Sequence, residues 1–170
     1  AQSTDKQVNI VTENLFKKYN EPKDFAALDI NSLQNEINSI GLHHNKSKYI
    51  IESSKMILKE YKGIIPDNRE KLMKLPGVGR KTANVVLACA FNKNTIAVDT
   101  HVFRVANRLG IIKAKNVKEA EKQLMKNINK NIWTNMHHWL IFHGRTICKA
   151  RKPDCNNCTL NKYCTYYNKV

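Results

Sequence analysis

Lys81 and Asp99 are the residues of this chain whose types and settings suit covalent chemistry. Lys81 follows Leu75-Pro76-Gly77-Val78-Gly79-Arg80 and falls in the first turn of a predicted helix, where the helix dipole disfavours a cation. Arg80 beside it adds a like charge. Both effects push the amine toward its neutral, nucleophilic form, and a lysine needed only to hold phosphate gains nothing from such a position. Asp99 precedes Thr100, a natural cap for a helix over 101–109. A carboxylate at a helix start stays anionic and can accept a proton or face a developing cation. Taken singly, Asp99 has a bland reading as a cap and Lys81 as a solvated cation. As a pair accompanying one glycine hairpin, they point to a nucleophile and its partner.

A second cluster lies late in the chain. Cys148, Cys155, Cys158 and Cys164 follow C-x6-C-x2-C-x5-C, and four thiolates so close in sequence can enclose one metal centre. Thiolate ligation alone permits structural zinc or an iron–sulfur cluster. Only Cys155-Asn156-Asn157-Cys158 forms the short knuckle usual for zinc. Between the first two ligands, Lys149, Arg151 and Lys152 sit on a loop pinned at both ends, which suits phosphate contacts. Cys89 falls on the apolar face of the Lys81 helix and is expected in the core.

The elements that must position these groups are helices. A short one over 66–73, capped by Asp67, leads to the hairpin, and a second follows over 81–90. Together they form a helix-hairpin-helix over about 67–90. Pro76 presets one turn residue, and Gly77 and Gly79 are expected to supply backbone angles that a Cβ resists. The amides of Gly77, Val78, Gly79 and Arg80 then face outward, ready for a phosphate. Upstream, Thr4 caps a helix reaching about Tyr19, with Val8, Val11, Leu15 and Phe16 on one face. Short helices follow over 24–28 and 32–39, and a longer one over 48–61. Downstream, Asn116 caps a helix over 117–128, and a last one spans 132–147. No stretch sustains strand alternation, so the fold class is all-α.

The chain has 170 residues, with 29 Lys+Arg against 14 Asp+Glu and a net charge of +15. That excess favours a polyanionic partner. No apolar run approaches the roughly 20 residues that span a bilayer, so a membrane partner is not expected. Cysteines at ligand spacing behind a polar start favour a reducing cytosol, with disulfides unlikely to form.

LPGVGRKTANVVL (75–87) followed by IAVDTHVFRV (96–105) resembles the helix-hairpin-helix DNA glycosylases, and within them the endonuclease III family; the four cysteines agree. The resemblance covers nearly the whole chain. It implies a base-excision-repair glycosylase with AP lyase activity that removes oxidised pyrimidines from duplex DNA. Lys81 forms the Schiff base at C1′, Asp99 assists, and β-elimination cuts the strand. It further implies a [4Fe–4S] cluster on Cys148, Cys155, Cys158 and Cys164, whose loop presents Arg151 and Lys152 to DNA. Gln2 matches the residue that fills the vacated base site, Leu42 matches the apolar wedge, and Lys46 is placed against phosphate. His43 and His44 follow the wedge, where DNA is in reach. His101 sits beside Asp99, either orienting the site or packing at the capping turn. His137, His138, Trp139 and His143 are read as packing residues of the last helix. Two domains are expected: a helical barrel over 1–93 and a cluster domain over 94–170. The implied partner is duplex DNA with a damaged base or abasic site, bound by a monomer in the cytoplasm at the nucleoid.

Family members carry some tens of residues ahead of the position of Ala1, so an N-terminal helix of the barrel is expected to be missing from this chain. Competing readings are a non-catalytic DNA-binding relative and a mismatch-specific glycosylase. Lys81 argues against the thymine-mismatch enzymes, which carry tyrosine there, and against the adenine-mismatch enzymes, which generally lack the lysine. A zinc-bearing RNA-binding protein is the remaining alternative.

Overall fold

A computed structural model of the chain describes residues 3–169, and every regular element among them is helical. In chain order these are α1 (Asp5–Lys18), α2 (Pro22–Ala27), α3 (Ile30–Glu36), α4 (His43–Tyr61), α5 (Arg69–Leu72), α6 (Arg80–Phe91), α7 (Thr100–Leu109), α8 (Val117–Asn127) and α9 (Trp133–Thr146). Three-residue 3₁₀ turns lie at Lys130–Ile132, Asn161–Tyr163 and Tyr167–Lys169. The all-α expectation holds. The chain forms two compact units, one ending at Gly79 and the other beginning at Arg80.

The first unit is built on α4, which packs against α2 and α3. Its core is Leu15, Leu33, Ile37, Ile40 and Ile51, with Val8, Val11, Phe25 and Ile50 partly buried around it. Thr4 caps α1, accepting a hydrogen bond from Gln7 N at 3.3 Å, as its sequence position predicts. Phe16, expected on the buried face of α1, is instead 56% exposed. Asp29 caps α3 through bonds from Asn31 N and Ser32 N. α4 starts at His43, several residues earlier than its polar residues suggest. Its N-cap, Leu42, sits in the left-handed region at φ 61° with no side-chain cap, so the cue that usually marks a helix start is absent there.

The second unit packs α7 against α9. Its core includes Ile96, Val98, Val102, Val105, Ile112, Leu124 and Leu140. Asn116 caps α8 as expected, accepting from Glu119 N at 2.9 Å. Residues 95–98 are buried without belonging to a helix or a strand. Cys89, expected in the core, is exposed: it lies on the outer side of α6, whose buried residues are Ala83, Asn84 and Leu87. Among the described residues no helix is long and apolar enough to cross a membrane.

Candidate active site

The hairpin begins where α5 ends. Asn68, not Asp67, caps α5, its side chain accepting from Lys71 N at 3.2 Å. Val78 N then donates to Leu75 O at 3.1 Å, closing the turn around Pro76 and Gly77. Ser53 Oγ on α4 donates to Pro76 O at 2.9 Å and holds the bend against that helix. Gly77 has φ +75°, and a Cβ there would lie 2.7 Å from the Tyr49 ring, so the turn and the close approach both require glycine. Gly79 departs from expectation. Its φ is not positive, and a Cβ would meet nothing within 4 Å.

From Gly79 the chain enters α6. Lys81 is exposed, and among the described residues its amine makes no hydrogen bond or ion pair. Arg80 is placed differently. Its Nε donates to Glu121 Oε2 at 2.6 Å and its Nη2 to Oε1 at 2.9 Å. Glu121 lies on α8 and is 4% exposed. Asn84, one turn along α6, donates from Nδ2 to the same carboxylate at 3.3 Å and to Ile96 O at 2.9 Å. Neither Glu121 nor Asn84 stands out on a motif reading. The available signal was a carboxylate on the apolar face of α8, between buried Ala120 and Leu124, where an unpaired charge is too costly to keep.

Asp99 itself caps α7, one residue earlier than the predicted Thr100. Its Oδ1 accepts from Val102 N at 2.8 Å; among the described residues Oδ2 takes no hydrogen bond. Its position is fixed from behind by residues 95–98 and by His137. The His137 ring is buried and makes a 2.7 Å hydrogen bond from Nδ1 to Ala97 O. Because a carbonyl only accepts, Nδ1 carries the proton. Burial holds the His137 pKa below the ordinary histidine value. The Ala97 bond opposes that shift, His138 adds to it, and the charges of Asp99 and Lys81 pull in opposite directions. His101 contacts Arg104 Nη2 at 3.2 Å. Trp139, read as a packing residue, is 56% exposed.

The four cysteines line a single cavity together with His143, Ile147 and Pro153. Turn hydrogen bonds shape it: Cys148 N to His143 O at 2.8 Å, Asp154 N to Ile147 O at 3.0 Å, and Cys164 N to Asn161 O at 3.1 Å. Arg108 on α7 clamps the loop from below, donating to Lys149 O at 2.8 Å and to Ala150 O at 3.1 Å, with Nη1 3.5 Å from Cys148 Sγ. Held this way, the loop leaves Arg151 and Lys152 exposed, with Lys152 at φ +51°. Four thiols lining one cavity are a donor set that suits a metal centre, either zinc or an iron–sulfur cluster.

Leu42 is 47% exposed at its left-handed position, a strained setting for a branched residue. Lys46 lies one turn further along α4, its amine 3.5 Å from Ser3 Oγ. The His43 and His44 ring centroids lie 4.0 Å apart, with the ring planes tilted by 37°. Gln2 lies outside the described residues.

Residues 1–130 match the family described as HhH-GPD superfamily base excision DNA repair protein. The chain is 51% identical over 167 residues to endonuclease III of Rickettsia prowazekii (strain Madrid E), covering 98% of this chain and 79% of that protein. It is 53% identical over 165 residues to endonuclease III of Bacillus subtilis (strain 168), covering 96% and 75%. The chain belongs to the endonuclease III family. It is accordingly a base-excision DNA repair enzyme, a DNA glycosylase with AP lyase activity. A solved structure of a trapped endonuclease III–DNA covalent intermediate superposes with a TM-score of 0.94 at 49% identity, covering 99% of this chain and 80% of that one. Endonuclease III proteins generally carry a [4Fe–4S] cluster.

Proposed function

We propose that the chain excises oxidised pyrimidines from duplex DNA and then cuts the strand, using Lys81 as nucleophile and Asp99 as its acid–base partner. The neutral Lys81 amine attacks C1′, and the bond from C1′ to the base breaks as the base leaves with its electrons. Asp99 accepts the amine's proton, faces the positive charge at C1′, or does both. Ring opening gives an iminium joined to Lys81. Loss of a C2′ proton then expels the 3′ phosphate by β-elimination. The same iminium forms directly on a pre-existing abasic site.

One observation carries this reading: Lys81 stands exposed in the first turn of α6 with no hydrogen bond or ion pair among the described residues, and Asp99 caps the next helix, α7, through Oδ1 alone, which leaves its second oxygen spare. The hairpin amides of Gly77, Val78 and Gly79 are assigned to a backbone phosphate, and the open space at Gly79 leaves room for it. Arg151, Lys152 and Lys46 add phosphate contacts. Leu42 is assigned to wedge the stack once the target nucleotide has turned out, and Gln2 to fill the vacated space. Cys148, Cys155, Cys158 and Cys164 are assigned to a [4Fe–4S] cluster, which when bound supplies four strong anchors to a loop otherwise held by turns and by Arg108. The place of action is the DNA of the cytoplasmic nucleoid.

The test is incubation with thymine-glycol and abasic duplexes in the presence of borohydride. A reduced enzyme–DNA adduct and a β-eliminated strand are expected from both. Tight binding to the abasic duplex with neither product contradicts the reading and leaves a non-catalytic DNA-binding relative.

A further inference from the structure

Glu121 is a buried carboxylate with no part in the chemistry described above. Burying a charge is costly, and a well-packed apolar pair in its place often serves stability as well or better. Its partners show what it does. It grips Arg80 at two points, in the fork geometry only arginine offers, and takes a third hydrogen bond from Asn84. Arg80 and Asn84 lie one turn apart on α6 and bracket Lys81. Asn84 also donates to Ile96 O, and its own carbonyl accepts from Thr95 Oγ1 at 2.6 Å. Residues 95 and 96 lead directly to Asp99. One carboxylate thus ties the turn carrying the amine to the segment carrying its partner.

We propose that Glu121 is a positioning residue: acting through Arg80 and Asn84, it fixes Lys81 relative to Asp99, and in doing so it withdraws Arg80 from phosphate binding. This rests on the reading of Lys81 and Asp99 as the reacting pair. Reaction rates are sensitive to displacements of the order of 1 Å between reacting groups, so loosening this tie slows the covalent step more than it weakens DNA binding. It also replaces the expected assignment of Arg80 to the phosphate-gripping amides of the hairpin. A guanidinium already neutralised by a carboxylate releases few counterions on meeting DNA.

The experiment compares wild type with Arg80→Gln, Glu121→Gln and the double variant. Three quantities are read: the single-turnover rate of adduct formation at saturating enzyme, normalised to the active fraction; affinity for undamaged duplex against salt; and the melting temperature. Each single variant is expected to form adduct about tenfold or more slowly, with affinity changed less than about threefold and the log–log salt slope unchanged. The double variant is expected to be no slower than the slower single, because the two residues act as one unit. Arg80→Gln weakening binding and lowering the salt slope by about one, with the saturated rate intact, would make Arg80 a phosphate contact and overturn the proposal. So would a lower melting temperature with an unchanged rate per active molecule, the mark of a purely structural pair. If Glu121→Gln fails to fold, Arg80→Gln still decides, since that side chain is 45% exposed. Absence of any adduct with wild type overturns the Lys81 reading and the positioning claim with it. An adduct formed equally fast by every variant overturns the positioning claim alone.

Discussion

The start of α6 and the cysteine loop occupy the same compact unit yet are built in opposite ways. Lys81 stands on a helix whose next buried residues, Ala83, Asn84 and Leu87, are packed on the unit's interior, and Asp99, the carboxylate proposed as its partner, caps a second packed helix. That geometry comes from burial and needs nothing added. The cysteine loop has little interior of its own: Cys164 is buried, but its elements are turns and 3₁₀ segments, and Tyr163 is 79% exposed. Arg108, stacked 4.7 Å from the Tyr166 ring centroid, does much of the holding. On the proposed reading, the chemistry that must stay in register is mounted on helices, and the surface that meets phosphates is left to a loop and to whatever the thiols bind.

The sharpest way to break this contrast is to damage each region separately. Lys81→Gln is expected to cut adduct formation by about 10³-fold or more while leaving the melting temperature almost unchanged, because the residue is exposed. Cys158→Ser is expected to do the reverse: more than about 3 kcal/mol of stability is lost with the cluster, and affinity for undamaged duplex falls as the Arg151–Lys152 loop relaxes. Single-turnover trapping alongside thermal melts reads both. If Cys158→Ser proves as stable as wild type, the loop is not built around a bound centre.

Asp99→Asn narrows the question to the carboxylate. Asparagine caps helices about as well as aspartate, so α7 stays formed, and the expected fall of about 10²-fold or more in trapping rate is chemical. A loss of helix stability with an unchanged rate would mean that Asp99 only caps.

Which features were legible in the sequence, and which were not, follows from the range of the forces involved. Proline and glycine act on their own backbone, so the bend at Pro76 and Gly77 could be read from local sequence. The start of α4 could not, because Leu42 enters the helix from a left-handed turn with no polar cap to announce it. Gly79 was overread for the same local reason: glycine permits a positive φ without requiring one. Cys89 was misplaced because α6 buries only a narrow stripe, and sulfur is apolar enough to suit either side. The pairing of Arg80 with Glu121 was not legible, since nothing near Arg80 in sequence reveals a carboxylate on α8. His137 was read as packing, and its bond to Ala97 O became visible only in three dimensions. Local chemistry foretold the hairpin, whereas the tertiary pairs that steady it carried no motif.

Smaller effects sharpen the picture of the scaffold. Gly77→Ala is expected to cost about 1–2 kcal/mol from the left-handed backbone alone, read by denaturant unfolding, and to force the Tyr49 ring aside; that ring is 43% exposed and can move. No loss of stability would mean that the hairpin does not need this bend. His137 gives a pH signature. Its folded pKa lies below the ordinary 6.5, held down mainly by burial, so the unfolded chain binds more protons as pH drops. The stability this group contributes is fully present above about 6.5 and is lost as pH falls through the lower folded value, with a slope of at most about 1.4 kcal/mol per pH unit. His137→Gln is expected to flatten that stretch of the stability profile. An identical slope in the variant would place the titration elsewhere.

The most direct measurement locates the covalent bond. Wild-type protein trapped by borohydride on an abasic duplex, then digested and analysed by mass spectrometry, is expected to carry the reduced sugar fragment on Lys81 and on no other amine. A fragment found on a different lysine or on the N-terminal amine, or adduct yield undiminished in Lys81→Gln, would contradict the account.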